Sequence, residues 1–224
     1  PMFGIQAFQA STLYPFRENF HSWVTGRGGY QHHHMRVREL ADMPLRSDAP
    51  SAQQIWEGTL NIYKSVMPVL DQYDLRVGMH GNDPPVPKIN GVSQVLYNFD
   101  AFEKLFTEVP SKNNCMTFCV GTRYESGEDI FEGIRRFGDK IIHVHFRNVK
   151  GTIPINGEYQ EVMPDEGDLS MYRVAKALDD VGYQGVIDYD HLNRISTDSP
   201  QGREYMAYCV GHMRGILQSL EAGG

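Results

Sequence analysis

The sequence predicts an α/β chain forming the C-terminal half to two-thirds of a TIM-type (β/α)8 barrel. Three observations carry this reading. Short apolar runs alternate with helical patterns, which implies parallel strands joined by right-handed crossovers. Four of these runs deliver a metal-type ligand at their C-terminal ends: Arg76–His80, Cys115–Cys119, Ile141–His145 and Val186–Asp190. The 224 residues hold four clear strands and a weaker fifth, whereas a closed barrel has eight strands and about 250 residues.

Composition narrows the classes. Hydrophobic residues make up 41% and aromatics 11%, enough for one packed core. A net charge of −7 does not suit a general nucleic-acid surface. No run approaches the ~20 apolar residues of a membrane span. Cys115, Cys119 and Cys209 are an odd set, unlike a secreted disulfide framework, and point to a reducing cytoplasm. The chain begins at Pro1 and ends Ala222-Gly223-Gly224, and it reads as part of something longer. A partial barrel leaves strand edges open, so a homo-oligomer is expected.

Residues 1–50 form an irregular segment and 51–224 the β/α units. Phe3–Phe8 offers one strand, after which Pro15, Gly26, Gly28-Gly29, Pro44 and Pro50 punctuate the chain. His32-His33-His34 reads as a solvated loop, because successive side chains diverge. Ser51-Ala52-Gln53-Gln54 fits a capping box that opens a helix with Ile55, Ile62, Tyr63, Val66, Met67 and Leu70 at helical spacing. Pro68 should kink that helix or mark its last turns. Phe99–Phe106 makes a short helix. Strand Cys115–Val120 ends at Gly121. Ser126–Asp129 caps a helix whose stripe is Ile130, Ile134 and Phe137, with Gly138 as its stop. Gly151–Gly167 reads as a long loop. Asp168 caps a helix carrying Met171, Val174, Ala175 and Leu178, and Ser199-Pro200 opens the last helix, which includes Tyr205.

The run Ile141–Val149 holds the chemistry together. Strand alternation puts His143, His145 and Arg147 on one face. His80, Cys119, His145 and Asp190 then supply imidazole, thiolate and carboxylate, a set suited to a divalent Mn, Fe, Co or Zn ion. An all-oxygen set would suggest Mg or Ca.

The motifs His80-Gly81-Asn82-Asp83-Pro84-Pro85, Cys119-Val120-Gly121, His145-Phe146-Arg147-Asn148-Val149 and Asp190-His191, in that order, resemble the mannonate dehydratase family over roughly Ser51 to Leu220. The resemblance implies a xylose-isomerase-like barrel with a Mn²⁺ or Fe²⁺ centre. It also implies dehydration of D-mannonate to 2-keto-3-deoxy-D-gluconate in hexuronate breakdown. It places His80, Cys119, His145 and Asp190 at the metal-ligand positions. It puts His191 at an acid/base position and Tyr205 near the other acid/base candidate. Arg147 offers a planar fork to a carboxylate and Asn148 can bond a hydroxyl, with an ordinary salt bridge as the plain alternative for Arg147. Asn82 and Asp83 complete the expected substrate-binding set. Two rival functions stay open: a metal-dependent sugar isomerase or epimerase on the same scaffold, and a non-catalytic sugar-acid or metal-binding fragment.

Overall fold

The helix Ala52–Tyr73, α2, shows how this sequence makes its elements. The Ser51 hydroxyl accepts the Gln54 N–H at 3.2 Å, and the Gln54 side chain accepts the Ser51 N–H at 2.8 Å, so the capping box forms in full. The helix runs Ala52–Tyr73 and keeps Pro68 within its last turns. Its inner face is Trp56, Thr59, Leu60, Tyr63, Met67 and Leu70, while Ile62 and Val66 face solvent. The buried stripe is thus turned from the expected one and includes Trp56, which donates to Glu108 of the helix 99–108.

This computed structural model describes residues 7–11, 21–41, 43, 45 and 47–223, with side chains for 22–40, 43, 45 and 47–223. The possible strand at Phe3–Phe8 lies partly outside them, as do Pro15 and Pro44. Strand β1 spans Ala7–Ser11, β2 His21–Thr25 and β3 Gln31–Arg36, followed by α1 at Val37–Ala41 and then α2. Next come β4 Arg76–His80, the small hairpin β5 Lys88–Ile89 and β6 Val92–Ser93, α3 Phe99–Glu108 and β7 Asn114–Cys119. Helices α4 Val120–Glu125 and α5 Ile130–Phe137 lead to β8 Ile141–His145, then α6 Ile153–Asn156 and β9 Glu158–Gln160. Helix α7 Met171–Asp180, β10 Val186–Asp188 and α8 Arg203–Gly223 complete the order.

Five strands form one parallel sheet in the order β1-β4-β7-β8-β10. The crossovers carry α2, α3, α5 and α7, the arrangement of a β/α-barrel arc. The core lies between sheet and helices, with Phe102, Leu105, Phe118, Ile134, Val144 and Val174 fully buried. Each such side chain contributes roughly 1.5–3 kcal/mol through burial.

A second sheet corrects two expectations. β2, β3 and β9 pair antiparallel in the order β2-β3-β9. The histidine run therefore lies in a strand, with His32 and His34 buried and His33 between them on the opposite face. The alternation of the strand resolves the divergence that suggested a loop. Residues 151–167 hold α6 and β9 instead of one long loop, and Tyr159 of β9 is fully buried.

Two caps also move. Ser170, not Asp168, caps α7, since Asp168 is engaged by the Gly151 N–H at 2.7 Å. Asp198, not Ser199, takes the Glu204 and Tyr205 N–H groups at 2.9 Å each at the start of α8, as a carboxylate is the stronger acceptor. Gly121 does not simply end a strand; it sits inside α4, where a Cβ would lie 2.9 Å from Arg147 Cζ.

Replacing Ser51 by Ala removes one arm of the capping box. Urea denaturation of Ser51→Ala should show a loss of about 0.5–2 kcal/mol with an unchanged m-value.

Candidate metal centre and active site

Each strand-end residue reaches the C-terminal mouth of the sheet for a local reason. His80, Cys119 and His145 are the last residues of β4, β7 and β8. The register sets Cys119 beside His145, after an irregularity between Met116 and Thr117. Asp190 lies two residues beyond β10 at φ 67°. Non-glycine residues rarely adopt that conformation. Here the Asp188 carboxylate accepts the Asp190 N–H at 3.0 Å, and His143 Nε2 donates to Asp188 at 2.9 Å. The turn brings the neighbours Asp190 and His191 to one site, which a continuing strand would not do.

The donor atoms converge. His80 Nε2 is 3.2 Å from His145 Nδ1, His145 Nδ1 is 3.3 Å from Asp190 Oδ1, and Cys119 Sγ is 3.7 Å from Asp190 Oδ2. All four donors lie within 4.8 Å of one another. Such separations suit ligands sharing one cation at bond lengths of about 2.0–2.3 Å. The tautomer fits as well. His80 Nδ1 is 2.6 Å from the Gly81 carbonyl, so Nδ1 carries the proton and Nε2 presents its lone pair to the cluster.

Charge state follows from the same packing. Burial opposes ionisation of Cys119, but Arg147 and the two imidazoles hold its thiol well below the ordinary range. Burial also disfavours a charged His145, yet Asp190 and Cys119 raise it to about 10. Asp190 is pushed well below the usual carboxylate range, against its own burial, by His145, His191 and Arg147. A cation held here would take the place of the proton on His145.

Arg147 stands at the centre of an ion-pair lattice. Its guanidinium is 4% exposed and meets Glu125 at 2.6 Å, Asp83 at 2.8 Å, Asp190 at 3.2 Å and Glu161 at 3.3 Å. It also donates to the Thr122 hydroxyl at 3.0 Å. The plain salt-bridge alternative thus describes its contacts here. Glu125 is fully buried, and burial holds its carboxyl well above the usual range despite Arg147.

The other expected residues divide. His191 reaches the lattice: its Nδ1 donates to Glu161 at 2.8 Å, and its Nε2 is 3.5 Å from Asp190 Oδ2. Burial disfavours its charge, but Glu161 outweighs this and raises it. Asp83 accepts from Arg147, Thr122 and the Tyr159 hydroxyl. Asn82 is buried and accepts the Leu96 N–H at 2.7 Å. Asn148 donates to the Pro164 and Leu169 carbonyls and accepts the Val149 and Leu169 N–H groups, so its amide binds the following loop. Tyr205 packs with Tyr30, Met163 and Cys209, and burial raises its hydroxyl.

Four further side chains join the site. Glu125, Tyr159, Glu161 and His33 carry its hydrogen bonds and charges, with His33 Nδ1 3.5 Å from Glu161. Alternation in Glu158-Tyr159-Gln160-Glu161-Val162 was the signal available for two of them.

Parallel β/α units with a mixed nitrogen, sulfur and oxygen cluster at their C-terminal mouth define a barrel-type candidate metal protein. The D-mannonate dehydratase (UxuA) family profile matches residues 32–223. The chain belongs to that family. Mannonate dehydratase of Enterococcus faecalis is 30% identical over 191 residues, covering 84% of this chain and 53% of that protein. Mannonate dehydratase of Thermotoga petrophila is 32% identical over 161 residues, covering 70% and 43%. The chain spans about half the length of the curated relatives it matches. The crystal structure of mannonate dehydratase from Streptococcus suis serotype 2 superposes with a TM-score of 0.86 at 22% identity, covering 99% of this chain and 68% of that one. A D-tagatose 3-epimerase-like protein shares the fold at a TM-score of 0.57 and 14% identity. Among the described residues, no helix is long and apolar enough to cross a membrane.

Arg147→Met should cost about 3–5 kcal/mol at pH 7, because the acidic groups of Asp83, Glu125, Glu161 and Asp190 lose their shared cation. The lowered carboxyls of Asp190 and Glu161 contribute stability that is present above the unfolded value near ~4 and lost as pH falls below it. The variant should therefore show a shallower acid-side slope in denaturation midpoints measured across pH.

Proposed function

We propose that the protein, in its complete form, is a metal-dependent hydro-lyase that converts D-mannonate to 2-keto-3-deoxy-D-gluconate and water in hexuronate catabolism. The observation that carries this reading is the convergence of His80, Cys119, His145 and Asp190 on one point, in a chain of this family. Those four residues would hold Mn²⁺ or Fe²⁺. The ion would supply Lewis-acid stabilisation of charge developing on a hydroxy acid's carboxylate.

The chain's own groups handle the protons. Removal of the C2 proton needs a base, and loss of the C3 hydroxyl needs an acid. Glu161 fixes His191 through Nδ1 and leaves Nε2 facing the cluster. His191 and Tyr205 are the proton-transfer pair of this reading, with no direction assigned. Arg147 balances the local carboxylates and holds Asp190 and Glu161 in place. Asp83, Asn82 and Asn148 shape the walls that receive the substrate. A reducing cytoplasm keeps the Cys119 thiol available as a ligand. The outer edges of β1 and β10 have no strand partner among the described residues, and a homo-oligomer that covers them belongs to this reading.

The test uses the complete protein with Mn²⁺ or Fe²⁺ and D-mannonate, assaying the 2-keto-3-deoxy acid. An isomerase or epimerase would instead return an isomer of the sugar acid with no loss of water. His191→Ala should keep its metal by mass spectrometry and lose about 10²–10⁴ in rate. Asp190→Ala should lose the metal. Retention of full activity by both variants defeats the dehydratase reading.

A further inference from the structure

Cys119 closes β7 and leads into α4. Two hydrogen bonds reach its sulfur from one residue. The Thr122 N–H donates to Cys119 Sγ at 3.4 Å, and the Thr122 hydroxyl lies 3.1 Å from the same sulfur. Arg147 Nη2 stands behind them at 3.7 Å. Thr122 is fully buried, so bulk water does not reach its hydroxyl.

A threonine inside a helix ordinarily turns its hydroxyl to a backbone carbonyl in the preceding turn. Thr122 turns it to the Cys119 side chain instead. The hydroxyl has one proton and two acceptors within reach, Cys119 Sγ at 3.1 Å and Asp83 Oδ2 at 3.2 Å. Distance selects the sulfur. A hydroxyl–oxygen bond is ordinarily about 2.5–3.0 Å, which makes the Asp83 contact long. Sulfur is the larger atom, and the Cys119 contact is a close one for it. Asp83 already accepts from Arg147 at 2.8 Å and from the Tyr159 hydroxyl at 3.1 Å. Arg147 Nη2 also donates to the Thr122 oxygen at 3.0 Å, which polarises the O–H toward the thiolate.

Hydrogen bonds to a ligand sulfur draw its electron density away from the metal. A thiolate so engaged is a weaker and less soft donor. Soft thiolates favour Zn²⁺, whereas Mn²⁺ prefers harder donors. We infer that Thr122 is a positioning residue that sets the ion preference of the candidate centre, by hydrogen-bonding the Cys119 sulfur and lowering its donor strength toward a bound divalent ion. Thr122 acts through Cys119. The inference rests on His80, Cys119, His145 and Asp190 holding a metal, and not on the reaction carried out there.

The experiment loads the complete protein with Co²⁺ and records the sulfur-to-cobalt charge-transfer absorption, then compares Zn²⁺ and Mn²⁺ affinities by competition. The parent should show the band, and Cys119→Ser should abolish it, which assigns it to this thiolate. Thr122→Val keeps the side-chain shape and the N–H but removes the hydroxyl. Its band should move to longer wavelength, because a more electron-rich sulfur gives up charge more readily. Its preference for Zn²⁺ over Mn²⁺ should rise severalfold. Thr122→Ser should return both to the parent values. A threonine needed only to pack α4 against Arg147 would lower the denaturation midpoint of Thr122→Val and leave band and ion preference unmoved; that result overturns the inference. If circular dichroism shows Thr122→Val unfolded, Thr122→Ala removes the same hydroxyl and is measured in its place. Absence of the band in the parent removes the metal reading of the cluster, and this inference with it. A parent inactive on D-mannonate that gives these shifts upholds the inference and removes only the dehydratase reading.

Discussion

One buried cation sets the terms for the rest of the site. Arg147 is the meeting point of Asp83, Glu125, Glu161 and Asp190, which arrive from four separate segments of the chain. Carboxylates so close would repel one another without it. The guanidinium's planar fork serves several of them at once, which a lysine's single ammonium would not do. Gly121 belongs to the same constraint, because its missing side chain is what lets α4 lie against Arg147. The excess of acid remaining around Arg147 and the candidate ligands favours a second positive centre beside it, and the His80–Cys119–His145–Asp190 cluster is where one would be held.

The site divides into two layers with different origins. The candidate ligands grow from the ends of β4, β7 and β8 and from the turn after β10, so the packed sheet fixes them. Glu161, the partner of His191, and His33, which meets Glu161, come from elsewhere. Glu161 follows β9, and His33 lies on β3. The first layer depends on the hydrophobic core, and the second on a small antiparallel sheet that covers the mouth.

That division explains how much could be read from the sequence. The parallel β/α order and the placement of four donors were legible, because a strand's last residue must point into the mouth of such a sheet. The turn at Asp190 was legible too, since Asp190 and His191 cannot face one site from a straight strand. The covering sheet was not. His32-His33-His34 has the composition of a loop and shows its strand only when paired with β2 and β9. Glu125 gave no signal, because a helical acid is ordinarily solvated and only the fold reveals that it is fully buried beside Arg147. The residue types of Arg147 and Asn148 suggested contact with a substrate. Packing engages their polar atoms in ion pairs and loop carbonyls, contacts that spacing alone does not reveal.

The covering sheet joins β3 to β9 across more than a hundred residues of intervening chain. Contacts between such distant segments carry a large loop-closure entropy and form late in folding. Opening of β9 from β3 would release Glu161 from His33 and loosen the support of His191, while β4, β7 and β8 kept their donors together. Convergence of the four donors and support of His191 are thus separable properties of the fold.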